Sequence, residues 1–319
     1  VSVLSKPYFH DEAKAFEYLE SVLWADGIVC PHCGVVGGRV YSLEGVRGKA
    51  SGKSPEGAIR HGLKKCGECR KQFTVKVGTV FEHGRMPLHK MLQATYLMTS
   101  SKKGISAHQL HRTLEISYKA AWFLEHRIRE AMRSGDLAPF GGEGGVVEVD
   151  EIFIGRREGV EKPRGGTRHM IPVLSLVHRE SGQCRSFVVD NVRAETLLPI
   201  VFRNVDRETY IMTDEAGQYK GQFRSLFLGH GRVNHAAGEY ARGRVHTNTV
   251  EGSFSIFKRG MKGIYQHCSE KHLHRYVAEF EFRYNNRAAL GCDDGDRARA
   301  ALKSIVGKRL TYSWPDCTA

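Results

Sequence analysis

The chain has 319 residues, 41% of them hydrophobic, and its 48 lysines and arginines against 35 acidic residues set a net charge of +13 and an isoelectric point near 9.4. That length predicts two or three folding units with a sizeable core, and that charge points to a polyanionic partner, most simply nucleic acid, with acidic lipid as the other chemistry it fits. No apolar run approaches the roughly 20 residues of a membrane span, and the opening Val1-Ser-Val-Leu-Ser-Lys-Pro7 lacks a signal-peptide core, so a soluble, cytoplasmic protein is expected.

A short helix is predicted over residues 11 to 25, capped by Asp11, with Phe16, Leu19, Val22 and Leu23 on one side. It leads to Cys30-Pro-His-Cys33, and Cys66-Gly-Glu-Cys69 follows after 32 intervening residues. Each pair puts two thiolates on a tight turn, half of a tetrahedral zinc site, and two pairs complete it. The other cysteines (Cys184, Cys268, Cys292, Cys317) are scattered, so metal binding in a reducing compartment fits better than disulfides. The interval exceeds the usual spacing of about 15 to 20 residues. The excess maps to a Gly/Ser/Lys-rich loop, Gly48 to Gly62, which a ribbon can carry without disturbing the metal. His32, His61 and His83 are alternative donors, although four cysteines suffice. Residues 72 to 77 alternate as a strand should, completing a zinc-ribbon pattern in a first domain over residues 1–84.

From Pro87 to Met132 the period becomes helical. Leu88, Met91, Leu92, Tyr96 and Leu97 mark one helix, and Gln109 to Leu114, a break at 115–117, and Tyr118 to Met132 mark two more. Helices joined so tightly make a helix-turn-helix candidate in a domain over residues 85–135. Lys102, Lys103, Arg112, Lys119, Arg127 and Arg129 would supply phosphate contacts, and His108, Gln109 and Tyr118 could reach base edges. A plain three-helix bundle with a solvated basic face is the other reading. The Gly-rich stretch Ser134 to Gly145 is expected to be a linker.

Beyond it, residues 145–290 read as mixed α/β. Strands are predicted at 146–154 (carrying Asp150), 171–178, 184–189 and 208–214 (ending at Asp214), with a helix at 194–205 that turns Leu197, Leu198, Val201 and Phe202 inward. A meander followed by a helix and a further strand opens an RNase H-like sheet flanked by helices. Between the first two strands, Arg156, Arg157, Lys162, Arg164 and Arg168 form a basic loop suited to a DNA backbone. A helix is expected from His246 to Gln266, with the apolar stripe Val250, Phe254, Phe257 and Met261. Glu251 and Lys258, seven residues apart, both project from the rim of that stripe. A covering helix with Leu273, Val277, Phe280 and Tyr284 inward follows. Residues 291–319 read as a charged tail ending in Tyr312-Ser-Trp-Pro315, with no legible chemistry.

Phosphodiester chemistry by water or a 3′-hydroxyl needs the attacking oxygen deprotonated and the leaving oxygen neutralised, and two divalent cations about 4 Å apart can do both. Magnesium takes hard oxygen ligands, so carboxylates converging from separate elements are the expected protein contribution. Asp150, Asp214 and Glu251 meet that need, and Lys258 could bind a phosphate of a DNA end.

These residues, with Cys30-Pro-His-Cys33, Val147-Glu-Val-Asp-Glu151, Met212-Thr-Asp-Glu215, His246-Thr-Asn-Thr-Val-Glu251 and Phe280-Glu-Phe-Arg-Tyr-Asn-Asn-Arg287, span nearly the whole chain. The chain resembles bacterial and archaeal insertion-sequence transposases that carry an N-terminal zinc ribbon and an RNase H-like core of DDE type with a following lysine. The resemblance implies structural Zn²⁺ on the four cysteines and two catalytic Mg²⁺ or Mn²⁺ ions on Asp150 and Asp214, with Lys258 contacting DNA. The third ligand in that family is a glutamate or an asparagine. Glu251 is preferred because the lysine lies seven positions on, and Asn248, three residues earlier on the same helix face, stays open as a neighbour. Glu151 and Glu215 adjoin the key aspartates, but alternation along a strand points them to the other face. His235 and His246 are expected to be structural. The implied partners are double-stranded DNA, as terminal inverted repeats and target, and a second copy of the chain in a dimer or larger assembly. A DNA-binding regulator without catalysis and a simple RNase H-like nuclease are the alternatives.

Overall fold

The computed structural model describes residues 2–52, 54–135, 137–219 and 222–310. They divide into two units, one of residues 2–101, 105–132 and 293–310, the other of residues 102–104 and 133–292.

In the first unit, helix α1 (Glu12–Leu23) begins where Asp11 accepts the Lys14 amide at 2.8 Å, and it buries Phe16, Leu19 and Val22. Strands β1 (Val40–Ser42), β2 (Lys64–Cys66) and β3 (Gln72–Phe73) form an antiparallel sheet in that order. Strand β3 is shorter than the alternation suggested. After Phe73 the chain turns, with the Val77 amide returning to the Thr74 carbonyl at 3.0 Å. The sheet brings the cysteine pairs together: Sγ of Cys30 lies 3.7 Å from that of Cys69, and Cys33 lies 3.8 Å from Cys66. A tetrahedron of Zn–S bonds near 2.3 Å has edges of about 3.8 Å. The four thiols therefore already stand at zinc-site spacing, and among the described residues theirs is the one metal-competent group converging within 4.8 Å. Of the alternative donors, His32 is engaged elsewhere, at 3.2 Å from the Gln72 carbonyl.

Helices α2 (Leu88–Ser100), α3 (Ala107–Leu114) and α4 (Tyr118–Met132) follow. Pro87 offers no side-chain cap to α2. Glu12 of α1 supplies one instead, taking the amides of Leu88 and His89 at 2.7 and 3.1 Å. Between α3 and α4 the chain reverses in three residues through Glu115 in the left-handed region (φ 49°). On this pair His108, Gln109, Arg112, Tyr118 and Lys119 are exposed. Arg127 and Arg129 correct the sequence expectation, because neither offers a free cation to phosphate. Arg129 is fully buried against Glu125 at 3.1 Å, and Arg127 donates to the Glu82 carbonyl at 2.9 Å from above the Phe123 ring. The stretch read as a tail contains the helix Asp294–Lys303, started by a capping box of Asp293 and Asp296 and packed on α1, α2 and α4 through Ala298, Ala301 and Leu302. Tyr312 to Pro315 lie outside the described residues.

The second unit is built on strands β4 (Val146–Ile154), β5 (Ile171–His178), β6 (Cys184–Val188), β7 (Tyr210–Thr213) and β8 (Gly229–Arg232), with helix α5 (Ala194–Asn204) before β7 and α6 (Gln222–Leu226) before β8. The sheet order is β6-β5-β4-β7-β8. The first three strands are antiparallel, while β7 and β8 run parallel to β4. That is the mixed sheet expected of an RNase H-like core. A small hairpin of β9 (Ala241–Arg242) and β10 (Val245–His246) leads into α7 (Asn248–Gly260), which ends in a π-helical turn, and α8 (Glu270–Asn285) follows.

Alternation along β4 divides its side chains between two cores. Ile152 and Ile154 pack with Val250, Phe254, Phe257 and Met261 of the site-helix stripe and with Leu273, Val277 and Phe280 of α8. Val147 and Val149 pack with Leu197, Leu198 and Val201 of α5 and Phe223 of α6. Phe202 is not inward as expected: it is 42% exposed and stacks on Phe227 at 5.7 Å. Nor is the Gly-rich stretch before β4 a bare linker, since Phe140 is buried with the Arg185 guanidinium 3.9 Å above its ring. Among the described residues no helix is long and apolar enough to cross a membrane.

Structural zinc contributes roughly 10–16 kcal/mol in small metal-dependent domains, more than a unit with so few strands can replace. Stripping the metal with a chelator, or Cys66→Ala, should release one zinc ion per chain and expose residues 40 to 72 to protease. Metal analysis and limited proteolysis check this, and a ribbon that stays resistant after zinc loss would contradict it.

Candidate active site

The central strand β4 sets the site. Glu148, Asp150, Ile152 and Ile154 alternate onto one face, the face that α7 covers. The parallel register pairs Glu148 with Met212, the last pair between β4 and β7, and Asp150 and Asp214 each follow two residues later. Each is held by a local amide: Asp150 accepts from Glu151 at 2.7 Å, and Asp214 from Ala216 at 2.9 Å.

Asp150 is half-buried, and its carboxyl is pushed up to about 7, first by burial and then by the charges of Asp214 and Glu251, against which Lys258 pulls it down. Asp214, Glu251 and Lys258 therefore all lie within electrostatic reach of Asp150. Glu151 projects to the opposite side, where Gln218 donates to it at 3.3 Å, yet it is not isolated. Burial pushes it up to about 8, and Asp150 and Asp214 add to that rise. Such an excess of buried negative charge, all on hard oxygens, suits a divalent cation.

Glu251 sits in the first turn of α7 and is turned toward the loop beside it. Its Oε1 accepts the Thr247 hydroxyl at 2.7 Å and lies 3.3 Å from Nε2 of His235. The three carboxylates are accordingly spaced more widely than the cysteine cluster. Asn248 is exposed one turn earlier, and Lys258 is exposed two turns later. Glu215 anchors the His235 loop by accepting the amides of His235 and Ala236 at 2.9 and 3.1 Å, and these bonds, after that of its own amide, hold its carboxyl below the usual range.

Two residues outside the predicted set join the pieces. Glu148 is wholly buried, and its carboxylate takes the amides of Thr249 and Val250 at 2.8 and 2.9 Å and the Thr249 hydroxyl at 2.8 Å. Arg179, at the end of β5, donates to Glu148 at 2.6 Å and to the carbonyls of Arg244 and His246, each at 2.7 Å. These contacts explain why α7 starts at Asn248 and not at His246, as periodicity suggested. His246 is held in β10, and the first free amides of the helix meet a carboxylate. An acidic residue in an apolar strand two positions before Asp150 was the available signal.

The basic candidates are dispersed. Lys102 and Lys103 are exposed in the connection between α2 and α3, and Arg112 and Lys119 on the α3–α4 pair. Arg156 and Arg164 are exposed in the loop after β4, with Arg156 donating to the Val160 carbonyl at 3.2 Å. Arg157 is half-buried and braces that loop through the carbonyls of Met170, at 3.1 Å, and Asp190.

A metal-binding ribbon is followed by an RNase H-like sheet that carries one acid in the middle of its central strand and another just past the end of the parallel neighbour. Residues 10–72 match a transposase zinc-ribbon domain and residues 143–285 the ISXO2-like transposase domain. An uncharacterized protein in transposable element ISH50 of Halobacterium salinarum is 27% identical over 296 residues, covering 86% of this chain and 91% of its own length. An uncharacterized transposase-like protein of Haemophilus influenzae is 30% identical over 99 residues, 31% of this chain and 78% of that protein. Among solved structures, a simian T-cell lymphotropic virus intasome in complex with PP2A regulatory subunit B56 gamma shares 15% identity at a TM-score of 0.29, covering 60% of this chain and 65% of that one. The chain belongs to the insertion-sequence transposases, with a transposase zinc ribbon followed by an ISXO2-like transposase domain.

The raised Asp150 carboxyl has a consequence for stability. Its folded pKa, about 7, lies above its ordinary 3.8, so between those values the folded state holds a proton that the unfolded state has lost. Stability of the protein free of Mg²⁺ and Mn²⁺ should fall as pH rises through that window, by at most about 4 kcal/mol from this group at ~1.4 kcal/mol per pK unit. Asp150→Asn should flatten the decline. Urea unfolding of the zinc-loaded protein at pH 5, 6, 7 and 8 in buffer without Mg²⁺ or Mn²⁺ reads this out, and the same pH dependence in the two proteins would contradict it.

Proposed function

We propose that this transposase binds the terminal inverted repeats of its insertion sequence, cleaves them to free 3′-hydroxyls, and joins those ends to target DNA. The observation that carries the reading is Asp150, half-buried in the central strand with Asp214 and Glu251 raising its pKa and Lys258 opposing them. Asp150, Asp214 and Glu251 would hold two Mg²⁺ or Mn²⁺ ions, with Asn248 as a neighbouring oxygen donor. Bound there, the cations would activate the attacking oxygen and neutralise the leaving one. Lys258, exposed on the same helix, would hold a phosphate of the DNA end as a point charge. Thr247 and His235 would steady the Glu251 carboxylate from the side away from DNA.

Recognition of the ends is assigned to the α3–α4 pair, as a helix-turn-helix. Arg112 and Lys119 would contact phosphate, and His108, Gln109 and Tyr118 would face bases. Lys102, Lys103, Arg156 and Arg164 would add backbone contacts that carry no sequence information, while Arg157 braces the loop that presents Arg156 and Arg164. Because two ends are joined together, the working form is a dimer or larger assembly on DNA.

Asp150→Asn should lower both cleavage and joining of cognate ends in Mg²⁺ by about a thousandfold or more, while end binding in a gel-shift assay stays within about twofold. Full cutting by purified Asp150→Asn would sink the catalytic assignment. Wild-type protein that cuts but never joins would mark a nuclease, and protein that binds ends without cutting would mark a regulator.

Neutralising Arg112 or Lys119 should weaken end binding and reduce the slope of log affinity against log salt by about one for each phosphate that the side chain neutralises. A slope unchanged between 50 and 200 mM salt (roughly the range over which such ion pairs are read) would remove that residue from the DNA interface.

A further inference from the structure

We propose that Glu148 is a positioning residue for the metal site: through the N-terminus of α7 it sets the distance of Glu251 from Asp150. The inference rests on the proposed function. Glu148 and Asp150 are two residues apart on one face of β4, and Glu251 follows the two amides that Glu148 holds by one and two positions. A single carboxylate thus ties the strand that carries one acid to the first turn of the helix that carries another.

The geometry favours positioning over simple capping. A helix usually receives its cap from its own N-cap residue, and here Thr247 makes no such bond. Its hydroxyl is turned to Glu251 instead, at 2.7 Å. Capping has been handed to a residue of the central strand, which leaves the local cap residue free to orient the site carboxylate. Arg179 holds Glu148 from the other side and also takes the His246 carbonyl, so the residues before α7 are bound to the same charge as the residues that start it. Glu148 itself, wholly buried, has its oxygens occupied by these donors and none left for a cation. It acts on the site only through α7.

Glu148→Gln keeps the shape and replaces one accepting oxygen by an NH₂ that cannot accept the helix amides. In the full-length protein it should leave zinc content and end binding as in wild type, while amide hydrogen exchange over residues 248 to 252 accelerates about tenfold or more and that over 273 to 280 does not change. Mn²⁺ binding, followed by the loss of the free-ion electron paramagnetic resonance signal, should weaken about tenfold, and end cleavage should fall about a hundredfold. In the Glu251→Gln background the same change should cost little further cleavage, because both act through one carboxylate. Where Glu148→Gln fails to fold, Glu148→Asp keeps the charge, shortens its reach by one methylene, and should show the same pattern to a smaller degree.

Wild-type Mn²⁺ affinity and cleavage in Glu148→Gln, or a loss that multiplies fully with that of Glu251→Gln, would overturn the assignment and leave Glu148 as a capping residue only. Wild-type protein that neither binds Mn²⁺ nor cuts would overturn the proposed function and this inference with it.

Discussion

Glu148 is the interaction on which the catalytic unit turns. A carboxylate buried in the central strand of a sheet is costly to desolvate, and removing a partner from such a buried charge pair typically costs about 3–5 kcal/mol. Here the cost is met by the Arg179 guanidinium, by two helix amides that would otherwise lack partners, and by the positive end of the α7 dipole. The strand, the hairpin before α7 and the helix itself are therefore locked in one arrangement, and the apolar stripe of Val250, Phe254, Phe257 and Met261 secures the rest of the helix against Ile152 and Ile154.

The site follows from that arrangement and from strand direction. Because β7 runs parallel to β4, the aspartates that come two residues after the last β4–β7 pair, Glu148 with Met212, lie toward the same end of the sheet. An antiparallel β7 would have put Asp214 at the far end. Charge then accumulates on this part of β4: Asp150 and Glu151 both rise in pKa, and Lys258 is the compensating cation felt by Asp150. The same excess of negative charge that strains the metal-free unit is what would make it select a divalent cation.

Much of this was legible in the residues. Cys30, Cys33, Cys66 and Cys69 could be grouped because metal geometry depends on spacing within each pair and not on the long loop between them. Strands β4, β5 and β6 followed from their short apolar runs, although β4 and β5 pack against a core on each face, and the stripe of α7 followed from helical periodicity. Periodicity failed where burial and polarity disagree. Arg127 and Arg129 looked like a basic face and proved to be braces, Arg129 buried and Arg127 half-buried, because a cation's exposure depends on which acid or carbonyl lies across from it. Phe202 looked like core and is half open to solvent, resting on another aromatic ring. The helix Asp294–Lys303 is so rich in charge that only its packing against α1, α2 and α4 reveals a buried side.

By itself the sequence determined the kinds of chemistry available: a four-thiolate metal site, two strand-borne aspartates, and a glutamate and a lysine a heptad apart on one helix. Local rules sufficed for these, because ligand spacing and side-chain alternation are properties of short segments. Only the tertiary structure decided how the pieces meet. The start of α7, the turn of Glu251 toward His235, and the link from Glu148 through Arg179 to the hairpin all join residues roughly 15 to 100 positions apart. No short-range pattern records such contacts, since they exist only once the sheet has set its order and the helix has been laid across it.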